Sequence, residues 1–156
     1  MRYNMRVFLC PYGGFSLAIP MDTVLSVTLY GKNPEKIIEY NQENQNTYIS
    51  LPLLFNCENR DVRHGIILKD GNDEQPENKF VLLTYAIESE TELAADKIYP
   101  LPCSFTFMKF SQFFMGIVFN SRHHQKTSGD IPAQDLVLLL NPLHLIQNIK
   151  KEIKYD

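Results

Sequence analysis

The sequence predicts an all-β fold that ends in one short helix. Two observations carry this. Roughly eight to ten short apolar segments are separated by turn dipeptides and polar loops, the texture of closed antiparallel barrels or a sandwich. No two of them are spaced by a consistent 10–15-residue helical pattern, which argues against a parallel βαβ sheet.

Taken in order, MRVFLCPY (5–12) and FSLAIP (15–20) flank Gly13–Gly14 and read as a hairpin. MDTVLSVTLY (21–30) runs to the turn mark GKNP. KIIEY (36–40) is an apolar cluster, NQENQN (41–46) a loop, and TYISLPLLF (47–55) a strand whose Leu53–Phe55 end turns as a short helical segment. HGIILKDG (64–71) closes on Asp70–Gly71, and DEQPEN (73–78) is a solvated loop. KFVLLTYAIE (79–88) is the next apolar run. SFTFMKF (104–110) alternates at period two, as a half-buried strand does.

FFMGIVFN (113–120) leads into the polar loop 121–134, and DLVLLL (135–140) is a strand stopped by Asn-Pro. LHLIQNIKKEIKYD (143–156) reads as a helix, with Leu143, Ile146, Ile149 and Ile153 on one side and the lysines on the other.

At 156 residues the chain is one domain or two small ones on a shared core, and we take 1–156 as one unit. A chain near this length buries roughly two-thirds of its unfolded surface, so neither metal nor disulfide is needed to fold it. Hydrophobic content of 44% and charged content of 21% are ordinary globular values. A net charge of −3 without a basic stripe excludes a nucleic-acid surface. The cysteines, Cys10, Cys57 and Cys103, are odd in number and widely spaced, with no CxxC, which points to a reducing cytoplasm. No apolar run reaches membrane-spanning length, and the N-terminus lacks the apolar core of a signal peptide.

No enzyme signature is present: there is no GxSxG, P-loop or GxGxxG, and no cysteine stands in a nucleophile motif. Glu88, Glu90 and Glu92 alternate with Ser89 and Thr91 and so share one face of an extended segment. Such a face could hold a hard cation, but it lacks the Asp/Asn/Gly pattern of a calcium loop and reads as solvated. Adjacent His123 and His124 in a strand would point oppositely and not share one metal. His64 and His144 stand alone in apolar surroundings as packed or surface residues. No cofactor and no metal are expected.

The ordered set of segments resembles the CheW-like domain, the adaptor module of bacterial chemotaxis. FSLAIPMDTVLSV resembles its opening hairpin, TYISLPLLF its strand and short helix, KFVLLTYAIESETELAADKIYPLP its apolar strand, polar-alternating strand, short connection and Ile-x-x-x-Pro close, and FFMGIVFN with DLVLLLNPLHLI its last strand pair and terminal helix. The resemblance implies two small five-stranded antiparallel β-barrels sharing a core, and a non-catalytic adaptor. Its implied partners are a histidine kinase regulatory domain and a chemoreceptor cytoplasmic tip.

On that resemblance Glu88–Glu92 are the solvent face of a barrel strand, Val81–Leu83 with Ile87 its core face, and Ile98 and Pro100–Pro102 the return to the first barrel. The partner-binding residues it implies are Ile37, Ile38, Tyr40, Asn41, Gln42 and Tyr48. Where the family carries a partner-facing Arg, this chain has Asn41 or Gln42, and no Arg falls between Arg6 and Arg60. Ser50, Tyr85 and Asn141 stand where family members commonly carry Asp. Loss of an interfacial Arg costs on the order of 2 kcal/mol at a hot spot, so the resemblance implies a member divergent in its partners. The competing reading is a small all-β ligand- or metal-binding protein unrelated to chemotaxis, built on His123, His124 and nearby acids.

Overall fold

A computed structural model describes residues 4–12, 14–57, 61–69, 79–101, 111–119 and 136–152. The segment 104–110, the loop 121–134 with His123 and His124, and Cys103, Pro102 and Ile153 lie outside the described residues. The chain divides into two compact units, Met1–Met21 with Ile87–Asn141, and Asp22–Ala86 with Pro142–Asp156. Each unit is built on one five-stranded sheet.

The first unit holds β1 (Asn4–Pro11), β2 (Ser16–Pro20), β8 (Ser89–Ala94), β9 (Phe114–Phe119) and β10 (Leu136–Leu140), in the order β8-β1-β2-β10-β9. β1 and β2 form the expected hairpin with Pro11 opposite Ser16, and Tyr12 and Phe15 stack 5.4 Å apart across its turn. Period-two alternation aims Val7 and Leu9 of β1, Ala18 of β2, Leu93 of β8, Val118 of β9 and Val137 and Leu139 of β10 into one buried cluster, with Met5 and Ile98 against it. On the opposite face of β8, Glu90 and Glu92 are exposed; Glu90 pairs with Arg6 at 3.1 Å and Glu92 accepts from Asn4 at 3.4 Å. Such an exposed pair is worth at most about 1 kcal/mol. Glu90 and Glu92 are the wet face of a strand, as their spacing predicts, while Glu88 is exposed just ahead of it.

The edges of this sheet are linked. Past β8 the chain makes a 3-10 turn at Ala95–Lys97, and Tyr99 then exchanges both backbone hydrogen bonds with Ile117 of β9, at 2.9 and 2.8 Å. Gly116 makes this approach possible. A Cβ there would lie 2.7 Å from the Tyr99 carbonyl oxygen and 2.8 Å from Ile98 Cγ2.

The second unit holds β3 (Val24–Leu29), β4 (Ile38–Asn41), β5 (Asn46–Ser50), β6 (His64–Leu68) and β7 (Phe80–Thr84), in the order β3-β6-β7-β5-β4. All five residues of β7 are buried, which explains its continuous apolar run. On one face Val81 and Leu83 join Val62 in a cluster against which Tyr30, Tyr48, Ile67 and Tyr85 pack. The short helix α1 (Leu51–Leu54) follows β5 directly; Ser50 caps it, accepting a hydrogen bond from the Leu53 amide at 3.3 Å.

Four expectations change. The helix begins at Leu51, ahead of the Leu53–Phe55 segment expected, because the Ser50 cap and Pro52 set its start. Within 79–94 there are two strands on different sheets: Val81–Leu83 belong to β7, whereas Ile87 is half-buried and lies in the unit of β8, so it shares no core face with them. The return to the unit of β1 therefore occurs at Ile87, before Ile98. Each sheet also contains one parallel pair, β2 with β10 and β5 with β7, among its antiparallel ones.

The terminal helix α2 (Pro142–Glu152) buries Pro142, Leu145, Ile146 and Ile149, an i, i+3, i+4, i+7 stripe. Leu143 lies off that stripe and is exposed. Lys150 Nζ stands 5.7 Å from the centre of the Phe80 ring.

Candidate functional site

The residues implied for partner binding lie on or beside one hairpin, β4–β5. Register places Ile38 opposite Ile49, Glu39 opposite Tyr48, Tyr40 opposite Thr47 and Asn41 opposite Asn46. Its turn is organised by amide side chains. Asn41 Oδ1 accepts from the Glu43 and Asn44 amides at 2.9 and 3.4 Å, and Asn44 Oδ1 accepts from the Asn46 amide at 3.0 Å. Gln45 adopts a left-handed φ of 60°. Local side-chain bonds of this kind make a polar six-residue stretch into a tight turn.

The six residues do not share one face. Opposed residues of an antiparallel pair point the same way, so Ile38 and Tyr40 stand with buried Ile49 and Thr47. Asn41 and Tyr48 stand on the other side with Glu39. Tyr48 is committed within the unit: its hydroxyl accepts from Asn44 Nδ2 at 2.9 Å and Asn46 Nδ2 at 3.4 Å, and its ring lies 5.4 Å from that of Tyr30. Burial, then Tyr48 and Glu39, push the Tyr30 phenol above its usual value. Asn41, one of the two residues that the resemblance sets where an Arg is expected, spends its side-chain oxygen on the turn. Gln42 is exposed in the turn, Ile37 and Tyr40 are 43% and 46% exposed, and the Ile37 carbonyl accepts from the Ser50 amide at 2.8 Å.

Chemically this arrangement offers apolar area and amide hydrogen bonding. Among the described residues no three His, Cys, Asp or Glu side chains come together as a metal site. Cys10 is buried; Cys57 is half-buried, its thiol raised by burial and directed to the Phe55 carbonyl at 3.7 Å. A raised thiol is a poor nucleophile at neutral pH. No helix among the described residues is long and apolar enough to cross a membrane.

A second apolar surface escaped the sequence reading. Val27 and Leu29 of β3 are exposed, Leu29 at 82%. The stretch VLSVTL reads as an ordinary buried strand; what could have distinguished it is its place at the sheet edge, which only topology provides.

No protein-family model matches the sequence, and no curated protein matches it by sequence. Among solved structures the chain is similar to the crystal structure of the scaffolding protein TtCheW from Thermoanaerobacter tengcongensis. The TM-score is 0.56 and the identity 17%, over 88% of this chain and 84% of that one. At this identity the likeness speaks to architecture. The chain has the CheW-like all-β fold: two five-stranded sheets and a short C-terminal helix.

Proposed function

We propose that this protein is a non-catalytic scaffold of the chemotaxis type, acting in the cytoplasm and joining a chemoreceptor tip to the regulatory domain of a histidine kinase. The observation that carries the reading is the CheW-like architecture, found in a neighbour described as a scaffolding protein. The β4–β5 hairpin supports it as a docking element. Ile37 and Tyr40 present apolar and aromatic surface, Gln42 adds an exposed amide, and the turn holds them in place through Asn41 and Asn44. Apolar anchors with a polar rim are how partner surfaces are built. Ile38, Asn41 and Tyr48 support this surface from within the hairpin.

The test is binding of the purified chain to the kinase regulatory domain and the receptor tip of the same organism. Ile37→Ser with Tyr40→Ala should weaken at least one of these tenfold or more while the urea midpoint stays near that of the parent. Unchanged binding in the folded double variant rejects the hairpin surface, and no binding by the parent chain rejects the scaffold.

A further inference from the structure

The two sheets present strand edges that differ in how they are guarded. β8 carries exposed Glu90 and Glu92, β9 is bridged by Tyr99, and β4 is a four-residue strand carrying Glu39. Charge, shortness and cover are the devices that stop an edge from pairing with another chain. Among the described residues β3 has none of these three, and past the bulge between Val24 and Ser26 its edge is regular. Its residues Val24–Leu29, VLSVTL, include no charge and no proline, and among the described residues β3 pairs with β6 alone.

The direction of its free backbone groups follows from register. Val27, Thr28 and Leu29 oppose Ile66, Gly65 and His64, and Tyr30 extends the series by donating to the Arg63 carbonyl at 2.8 Å. Bonded and non-bonded pairs alternate in an antiparallel ladder. Tyr30 and Thr28 are thus bonded to β6, and the N–H and C=O of Val27 and Leu29 point away from it. Among the described residues the Leu29 carbonyl meets the Thr28 hydroxyl alone, at 3.5 Å.

We propose that β3 is a homodimer interface, in which two copies of this chain add their β3 strands antiparallel about a two-fold axis at Thr28. Val27 of each copy then opposes Leu29 of the other, and each such pair exchanges both backbone hydrogen bonds. The strand is self-complementary in this register. Val27 meets Leu29 on one face, Thr28 meets Thr28 on the other, and no like charges are apposed. A register centred on Val27 would need Leu25, which the bulge between Val24 and Ser26 removes from the ladder. One six-residue edge falls short of the roughly 1,200 Å² of a stable interface, so the dimer is weak and depends on concentration.

The test uses the full chain carrying Cys57→Ser and Cys103→Ser. A Thr28 pair at the axis is a non-bonded pair, with Cα atoms about 4.5 Å apart, within disulfide range. Thr28→Cys should form an inter-copy disulfide under mild oxidation at least tenfold faster than Ser26→Cys. Sedimentation should show a dimer that grows with concentration and weakens tenfold or more in Leu29→Lys, whose circular dichroism stays that of the parent. Equal cross-linking rates for Thr28→Cys and Ser26→Cys, or a chain that stays monomeric at millimolar concentration, overturn the proposal. So does a monomer whose Leu29-dependent binding is to the kinase regulatory domain instead.

Discussion

Gly116 lies so close beneath Tyr99 that a Cβ at 116 would meet the Tyr99 carbonyl oxygen at 2.7 Å. The two hydrogen bonds between Tyr99 and Ile117 link the free edges of the first sheet, so the missing side chain at 116 is what permits closure. Gly116→Ala should therefore cost about 1–3 kcal/mol, the range for forcing atoms into a packed site. Urea denaturation measures the loss, and amide exchange at Ile117 should accelerate with it.

Stability should fall at alkaline pH. The Tyr30 phenol is raised mainly by burial, with Tyr48 and Glu39 adding to it, and the Cys57 thiol is raised by burial. Both groups are neutral when protonated, and their folded values exceed the unfolded ones. Each contribution is then complete below the unfolded value, near 9 for the thiol and near 10 for the phenol, and is lost as pH rises through the folded value. The urea midpoint should decline from about pH 9 upward. Tyr30→Phe should flatten the upper part of that decline and Cys57→Ala the lower part.

His64 holds an orphan polar atom. Its Nδ1 is buried without a hydrogen-bond partner among the described residues, on the strand that backs the exposed edge β3. An unsatisfied buried group costs roughly 1–3 kcal/mol. His64→Leu, which keeps apolar bulk opposite Leu29, should raise stability by on the order of 1 kcal/mol, read as a higher urea midpoint with an unchanged slope.

Asn44 ties the hairpin turn to the Tyr48 hydroxyl and to the Asn46 amide. Asn44→Ala removes both bonds and should cost about 1 kcal/mol or slightly more. Because the loss is local, hydrogen exchange at residues 41–46 should speed up more than exchange in β7.

Much of this architecture is legible in the residues. β7 reads as a strand because all five side chains are buried, and β8 because Glu90 and Glu92 alternate with Thr91 and Leu93. Periodicity reports which face is wet but not which strand is the neighbour. FVLLT and SETELA therefore read as successive strands, with nothing to show that they belong to different sheets. The same blindness hides β3, whose apolar residues suit a core and whose exposure comes from its position at an edge. In the hairpin, resemblance marks Asn41 as a partner contact, while its short amide reaches its own turn more readily than an outside surface. Leu143 fails for a geometric reason: one heptad-like count fits it, yet the buried stripe is centred on Leu145, Ile146 and Ile149.

The parallel pairing of β2 with β10 ties residues 16–18 to residues 137–139. On a ribosome making roughly 5–20 residues per second, the amino-terminal hairpin emerges on the order of ten seconds before the strand that must lie beside it. During that interval the apolar flank of Leu17–Ile19 has no permanent neighbour, while β3 to β7 of the other unit are synthesised in full. A chain halted between Thr84 and Leu136 thus carries every strand of the second sheet and an unfinished first one, and residues 16–18 reach their native setting only after the other sheet is made.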